Sequence, residues 1–356
     1  MEIQVDIEEL EKALRELRNK SVHEKVVKKL PEIKAPTCKD TIKCLNTAYL
    51  NEKLVFVLGA GVSFGYGLPL WDEILQKLMV TTIEEEQSTS SVLAKLFNSI
   101  FKPNPIIAGR YLQQYYIDNE LSFEEAVQKA LYENCNCDND SKLMNEIVNF
   151  CVAPGKSPNL DSIITYNFDD ILEHKLLDVG IDIPFKSIYG VGMNSDNGEL
   201  PIYHVHGYLP REGKLNELNK ITFGESIYHE HYSDVYSWNN ITQINKFKDN
   251  TCLFIGSSLT DPNIRRLLDI ARLQKGLKNG CHYIFKKRYS EHMTTKDLKI
   301  LLDKNKVLLG ENVQAELQLS ESVKLLIEII ERFEENDSLS FGVKTIWVND
   351  FDEIPH

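Results

Sequence analysis

Four short stretches of this 356-residue chain gather residue types that can do chemistry. The first is Gly59-Ala60-Gly61-Val62-Ser63, continued as Phe64-Gly65-Tyr66-Gly67-Leu68-Pro69. Glycine permits a tight turn and lets a phosphate approach the backbone, and a helix start supplies free N–H groups and a positive dipole end. An anionic dinucleotide fits such a place, although the spacing is not the G-x-G-x-x-G of an ordinary Rossmann dehydrogenase. The second is Thr165-Tyr166-Asn167-Phe168-Asp169-Asp170. Asn167 brings an amide that both donates and accepts, and Asp169 a carboxylate that can hold ribose hydroxyls or position an amide. The third is His204-Val205-His206-Gly207, where strand alternation places the two histidines on one face and Gly207 leaves a substrate room beside His206. A free histidine titrates near neutral pH, so His206 is a candidate for general base work. The fourth is Ile255-Gly256-Ser257-Ser258-Leu259-Thr260-Asp261-Pro262-Asn263, in which Gly256, Ser257 and Ser258 can cradle a phosphate or a ribose.

Each stretch also has a purely structural reading. A glycine turn can simply join a strand to a helix. Asn167 or Asp169 can cap the helix begun by Ile171-Leu172-Glu173, and Asp261 with Pro262 reads as an N-cap followed by proline at the first helical position. A histidine can be a hydrogen-bonded core residue. A two-histidine metal site at His204 and His206 has no third ligand spaced to complete it.

The elements that must position these stretches follow from apolar patterning. Runs at 53–58, 161–165, 201–206, 251–255, 281–285 and 343–348 read as strands. Helical spacing marks 71–80, 91–101, 106–117, 122–132, 141–151, 263–275 and 321–335. Strand alternating with helix predicts an α/β, Rossmann-like, doubly wound parallel sheet, in which ligands bind at the carboxyl ends of strands. All four stretches fall at such ends. Residues 81–160 read as an inserted, smaller helical subdomain. Ile7, Leu10, Leu14 and Leu17 mark an N-terminal helix over 7–30, ended by Pro31, and Lys34 to Asp40 reads as a linker. The expected division is a helical extension over 1–45 and a catalytic domain over 46–356.

Composition narrows the function classes. A formal net charge of −13 argues against a protein that binds nucleic-acid phosphates directly. Seven scattered cysteines, Cys252 and Cys281 among them in apolar runs, read as reduced thiols. The acidic, amphipathic amino terminus lacks the apolar core of a secretion signal, and no apolar run is long enough to span a bilayer. The expectation is a cytoplasmic protein without a membrane partner.

Taken together, the motifs resemble the sirtuin superfamily over roughly residues 50–350. Gly59 to Ser63 resembles its first NAD-binding motif, Thr165 to Asp169 its Thr-Gln-Asn-Ile-Asp element, His206-Gly207 its His-Gly, Phe223-Gly224-Glu225 its Phe-Gly-Glu, and Gly256-Ser257-Ser258-Leu259 its Gly-Thr-Ser-Leu. Two departures speak against protein deacylation. The two zinc-binding Cys-x-x-Cys pairs are reduced to Cys135-Asn136-Cys137, and the Gly-Ile-Pro-x-Phe-Arg segment becomes Gly67-Leu68-Pro69-Leu70-Trp71-Asp72. These changes, with Thr260 to Asn263, bring the chain close to the sirtuin-like NAD hydrolases of bacterial antiphage defence.

The resemblance implies an enzyme that splits NAD, its substrate, into nicotinamide and ADP-ribose without a metal. Asn167, Asp169 and His206 would be catalytic. Gly59, Ala60, Gly61 and Ser63 would bind the pyrophosphate, and Gly256, Ser257 and Ser258 the adenosine half. It also implies a homo-oligomer and a phage-derived or protein activator. The alternatives are an NAD-dependent deacylase and a non-catalytic module that senses NAD or ADP-ribose.

Overall fold

The computed structural model describes residues 38–87, 105–152, 159–180, 183–276, 282–304 and 319–354. The helices read at 7–30 and 91–101 lie outside the described residues. In chain order, helix α1 (Cys38–Leu50) leads to strand β1 (Leu54–Leu58), two 3-10 turns (Ala60–Val62 and Phe64–Tyr66), and helices α2 (Trp71–Gln87), α3 (Pro105–Asp118), α4 (Phe123–Tyr132) and α5 (Lys142–Cys151). Strand β2 (Leu160–Thr165), helix α6 (Ile171–Asp178), strands β3 (Phe185–Ile188) and β4 (Leu200–His204), and helices α7 (Glu225–Ser233) and α8 (Trp238–Asp249) follow. The described chain is completed by β5 (Thr251–Ile255), α9 (Pro262–Lys275), β6 (His282–Lys287), α10 (Glu291–Lys304), α11 (Leu319–Ser340), β7 (Val343–Val348) and a last 3-10 turn (Phe351–Glu353).

The seven strands form one sheet in the order β3-β4-β2-β1-β5-β6-β7, and every pairing is parallel. The expected α/β, Rossmann-like fold is therefore what the chain adopts. From β1 the sheet grows to one side through β2 and β4, and to the other through β5 and β6. β1 with its neighbours β2 and β5 thus marks the point where strand order reverses, and a crevice opens there beyond the carboxyl ends.

Both faces of the sheet are covered, which is why its central strands read as continuous apolar runs instead of alternating ones. All five residues of β1 are buried. Leu54, Phe56 and Leu58 pack into one cluster, and Val55 and Val57 into another with Phe247, Leu267 and Leu268 of α8 and α9. The first cluster continues without a break into the inserted helices through Leu112, Val127 and Met144. The insert and the sheet consequently share one core.

Several elements differ from the apolar reading. α1 begins at Cys38, inside the expected linker, and runs across residue 45. β3 escapes the pattern because Phe-Lys-Ser-Ile is a short edge strand with one fully buried side chain. α8 escapes it because its buried face carries Asn239, Asn240 and Gln243 beside Ile244 and Phe247. Those amides are used: Asn239 Nδ2 donates to Val205 O at 3.1 Å, and Asn240 Nδ2 to His231 O and Asp234 O, each at 2.9 Å. α7 and α10 are likewise additional to the predicted helices, whereas α6 starts at Ile171, where the capping reading put a helix start.

A shared core makes a specific prediction. Met144, fully buried in α5, when truncated to alanine should destabilise the chain by about 2–5 kcal/mol. The loss should appear as one cooperative urea transition, coincident by circular dichroism and tryptophan fluorescence. A separate early transition would show that the insert stands on a core of its own.

Candidate functional site

The turn after β1 is built against the turn after β5. Gly59 N donates to Ile255 O and Gly61 N to Gly256 O, each at 3.0 Å. A Cβ on Gly59 would sit 2.6 Å from Gly256 O, one on Gly61 2.8 Å from Gly256 Cα, and one on Gly256 2.6 Å from Val62 N. Gly256 also has φ +67°, in the left-handed region. These glycines are thus required first by backbone-on-backbone packing. Val62 N and Ser63 N close 3-10 bonds onto Gly59 O and Ala60 O, at 3.1 and 3.2 Å. Four of the five amides from Gly59 to Ser63 are therefore engaged within the protein. The helix start expected after this turn is replaced by two 3-10 turns, and α2 begins only at Trp71. Exposed Ala60 lines the crevice.

Ser63 connects this turn to the one after β2. Its hydroxyl donates to Asp169 Oδ1 at 3.0 Å and accepts from Asn167 Nδ2 at 3.2 Å. Asn167 Nδ2 also donates to Gly59 O at 3.2 Å. A carbonyl can only accept, so this contact fixes which end of the amide faces the turn and leaves Asn167 Oδ1 as its remaining acceptor. Asp169 Oδ1 takes a further bond from Ile171 N at 3.1 Å and so serves the start of α6, as the capping reading anticipated. Burial pushes the Asp169 carboxyl up to about 6. Asp170 faces elsewhere: it accepts from Tyr132 Oη at 3.0 Å and Arg211 N at 2.7 Å.

The two histidines part company, because β4 ends at His204 and strand alternation stops with it. His204 turns into the core, with Nε2 2.6 Å from Glu173 Oε1, which Ser187 Oγ also contacts at 2.8 Å. His206 lies edge-on to Tyr166, with ring centroids 4.7 Å apart, and its Nε2 is buried with no partner in the protein. Burial lowers its pKa to about 4, so the ring is neutral at neutral pH, and in the tautomer with its proton on Nδ1 the unpartnered Nε2 is an acceptor. Thr222 N donates to His206 O at 2.7 Å and fixes the backbone. Gly207 does turn the chain, at φ +105°, but the space beside it is filled: a Cβ there would lie 2.1 Å from Lys220 O.

After β5, Ser258 Oγ lies 2.7 Å from Thr260 Oγ1, and Leu259 takes φ +56°. Asp261 caps α9 through Asn263 N and Ile264 N, at 2.8 and 2.9 Å, with Pro262 in the first turn. Its second oxygen accepts from Tyr228 Oη at 2.5 Å.

The four turns surround one cavity of about 650 Å³, within the roughly 300–1,000 Å³ span of ligand pockets. Gly59, Ala60, Gly61, Ser63, Asn167, Asp169, His206, Gly256, Ser257 and Ser258 all line it. Its remaining wall is largely apolar, including Leu68, Trp71, Phe168 and Phe223, with Trp71 stacked on Phe223 at 5.0 Å. Tyr228 and Asp261 line it too. Sequence reasoning assigned Asp261 a capping role and a place in the Thr260 to Asn263 resemblance but no position on the cavity, and it gives no signal for Tyr228. Among the described residues, no group of three or more His, Cys, Asp and Glu side chains is placed to hold a metal ion.

This geometry agrees with what the chain is similar to. Residues 161–309 match the family model of the SIR2-like domain. The match supports a place in the sirtuin-like superfamily, whose members use NAD, and points to an NAD-dependent enzyme. It covers the turns after β2, β4 and β5; the glycine turn after β1 joins them through the fold. No curated protein matches the chain. Among the described residues, no helix is long and apolar enough to cross a membrane.

Two substitutions test this arrangement. Gly256→Ala should cost about 2–4 kcal/mol in urea unfolding, since it meets both a positive φ and the Val62 backbone; a neutral result would refute the close packing. Asp169→Asn tests the buried carboxyl. Its folded-state pKa of about 6 lies above the ordinary 3.8, so the wild type loses stability as pH rises from 3.8 to about 6, and the loss persists above. Relative to wild type, the asparagine variant should therefore gain about 3 kcal/mol across that window. A stability difference independent of pH would contradict the raised value.

Proposed function

We propose that the chain is an NAD glycohydrolase, which cleaves the bond between nicotinamide and ribose and releases nicotinamide and ADP-ribose. The observation that carries this reading is the unpartnered, buried Nε2 of His206, on the same cavity as Asn167 and Asp169. A buried polar atom without a partner is costly, and one lining a ligand cavity is what a reacting group requires.

The cavity suits NAD. The close-packed glycines around Gly59 and Gly256 leave no side chain between the backbone and a pyrophosphate, and exposed Ala60 offers its amide there. Ser257 and Ser258 offer hydroxyls to the adenosine half. The apolar wall at Trp71 and Phe223 gives a planar ring a dry surface.

In the proposed reaction the C–N bond to ribose breaks, and its electron pair goes to the nicotinamide nitrogen. The positive charge of the pyridinium is thereby transferred to an oxocarbenium-like ribose. No metal is required, because the leaving group departs neutral. Asn167 Oδ1 and the Asp169 carboxylate position the attacking water and the ribose hydroxyls. His206 Nε2 takes the proton that the water gives up as its oxygen bonds to the ribose carbon. Asn167 can hold this pose because Gly59 and Ser63 fix its amide nitrogen.

The absence of both Cys-x-x-Cys pairs favours water over an acylated peptide as the nucleophile. The antiphage-defence setting belongs to the same proposal and rests on Gly67 to Asp72 and Thr260 to Asn263; a homo-oligomeric assembly and a phage-derived or protein activator are what that resemblance implies.

In its activated state the chain should release nicotinamide from NAD without any acylated peptide. His206→Ala and Asn167→Ala should each lower the rate by at least about a hundredfold while keeping the wild-type circular dichroism. Below a pH of about 6, kcat/KM should fall about tenfold per unit as Asp169 takes up a proton. Undiminished turnover in either folded variant would refute the assigned roles.

A further inference from the structure

One motif of the sequence lies outside this chemistry. Cys135-Asn136-Cys137 occupies the turn after α4, and both thiols are free and partly buried. Their sulfurs are 3.4 Å apart. Arg211 Nη1 donates to Cys137 Sγ at 2.7 Å, and the Arg211 backbone is anchored by its N–H to Asp170 Oδ2 at 2.7 Å. The thiolate is the nucleophile in disulfide exchange, and a permanent cation beside a sulfur marks reactive cysteines. Burial, then its hydrogen bond to Cys137, pushes the Cys135 thiol up to about 12, and the Arg211 guanidinium sits on Cys137.

The same turn clamps the wall of the cavity. Asn136 N donates to Tyr66 O at 2.8 Å, and Asn139 Nδ2 to Gly65 O at 2.9 Å. Gly67 faces Asn134 O so closely that a Cβ would lie 2.5 Å from it. Residues 64–67 connect the glycine turn to the apolar wall beginning at Leu68. Asn136, the residue between the two thiols, therefore holds the segment that carries both.

We propose that Cys135 and Cys137 form a reversible dithiol–disulfide site for low-molecular-weight disulfides, with Cys137 as the attacking sulfur and Cys135 as the resolving one. Cys137 thiolate attacks one sulfur of the small disulfide, forms a mixed disulfide and expels one thiolate. Cys135 then gives up its proton and attacks Cys137 sulfur, which closes the intraloop disulfide and expels the second thiolate. The two expelled thiolates are protonated. The protein thiols are oxidised, the small disulfide is reduced to two thiols, and excess thiol reverses both steps. Closure brings the sulfurs from 3.4 Å to about 2.0 Å, and the backbone that must adjust is that of Asn136, whose N–H bonds Tyr66 O. This site does not depend on the NAD reading, and its test needs no turnover.

The full chain should be incubated with oxidised or reduced glutathione, alkylated and digested, and its peptides weighed. The wild-type peptide carrying residues 135–137 should lose two hydrogens under oxidised glutathione and regain them under excess thiol. Cys135→Ser should instead accumulate the glutathione mixed disulfide at Cys137, and Cys137→Ser should leave Cys135 a free thiol. Arg211→Gln should slow the reaction by about tenfold. Absence of the intraloop disulfide, with Cys135 and Cys137 reacting no faster than exposed Cys44, would overturn the proposal. So would a mixed disulfide on Cys135 in place of Cys137. Backbone hydrogen exchange over residues 64–71 should quicken on oxidation in the wild type and not in Cys135→Ser; unchanged exchange in an oxidised wild type would overturn the link to the cavity wall.

Discussion

The site depends on two backbone turns pressed together. β1 and β5 are neighbours, and the chain leaves both at the same edge of the sheet, so their turns collide unless neither carries a side chain at the contact. Gly59, Gly61 and Gly256 meet that condition, and two hydrogen bonds from the first turn to the second lock them in register. Everything else in the cavity is referred to this contact. Ser63 takes its place from the 3-10 turn that follows Gly59, and Asn167 and Asp169 take theirs from Ser63. A change at the glycine contact would therefore displace Asn167, which donates to Gly59 O, and through Ser63 also Asp169, which has no hydrogen bond to the glycines.

The buried histidines show how the same residue type is put to two uses. His204 is held by a carboxylate that is held in turn by Ser187, a nearly closed polar group inside the core. His206, two residues on, has its backbone fixed and its ring packed between tyrosines, while its outer nitrogen is left without a protein partner. The Asp169 carboxyl shows a similar tension: burial disfavours its charge, and bonds from Ser63 and Ile171 partly offset that. Placing such groups around one cavity costs stability, and that cost is common where ligands react.

Much of this was legible in the chain. The runs at β1 and β5 are apolar because those strands lie at the centre of the sheet with both faces covered, and a continuous apolar run survives any register; β7, at the edge with only its end residues buried, was legible from its β-branched and aromatic residues. The turns that follow were legible because small and polar residues interrupt those runs abruptly. What patterning could not reveal was contact across long separations. Gly59 and Gly256 lie almost two hundred residues apart, so their glycines read as room for a phosphate when their first task is room for each other. Gly207 read as room for a substrate, and that space belongs to Lys220 and Ile221. The pairing of His204 with His206 failed for a local reason, the end of β4 between them. α8 was hidden because its core-facing amides satisfy buried carbonyls, which apolar periodicity cannot detect.

The central claim is that turns from three separate strand ends form a single dinucleotide site. Hydrogen exchange with and without saturating ADP-ribose tests it directly, because binding can be read without any reaction. The account predicts slowed exchange in the turns after β1, β2 and β5 together, with one common concentration dependence. Binding that protects the glycine turn alone, or no protection at any of the three, would contradict it.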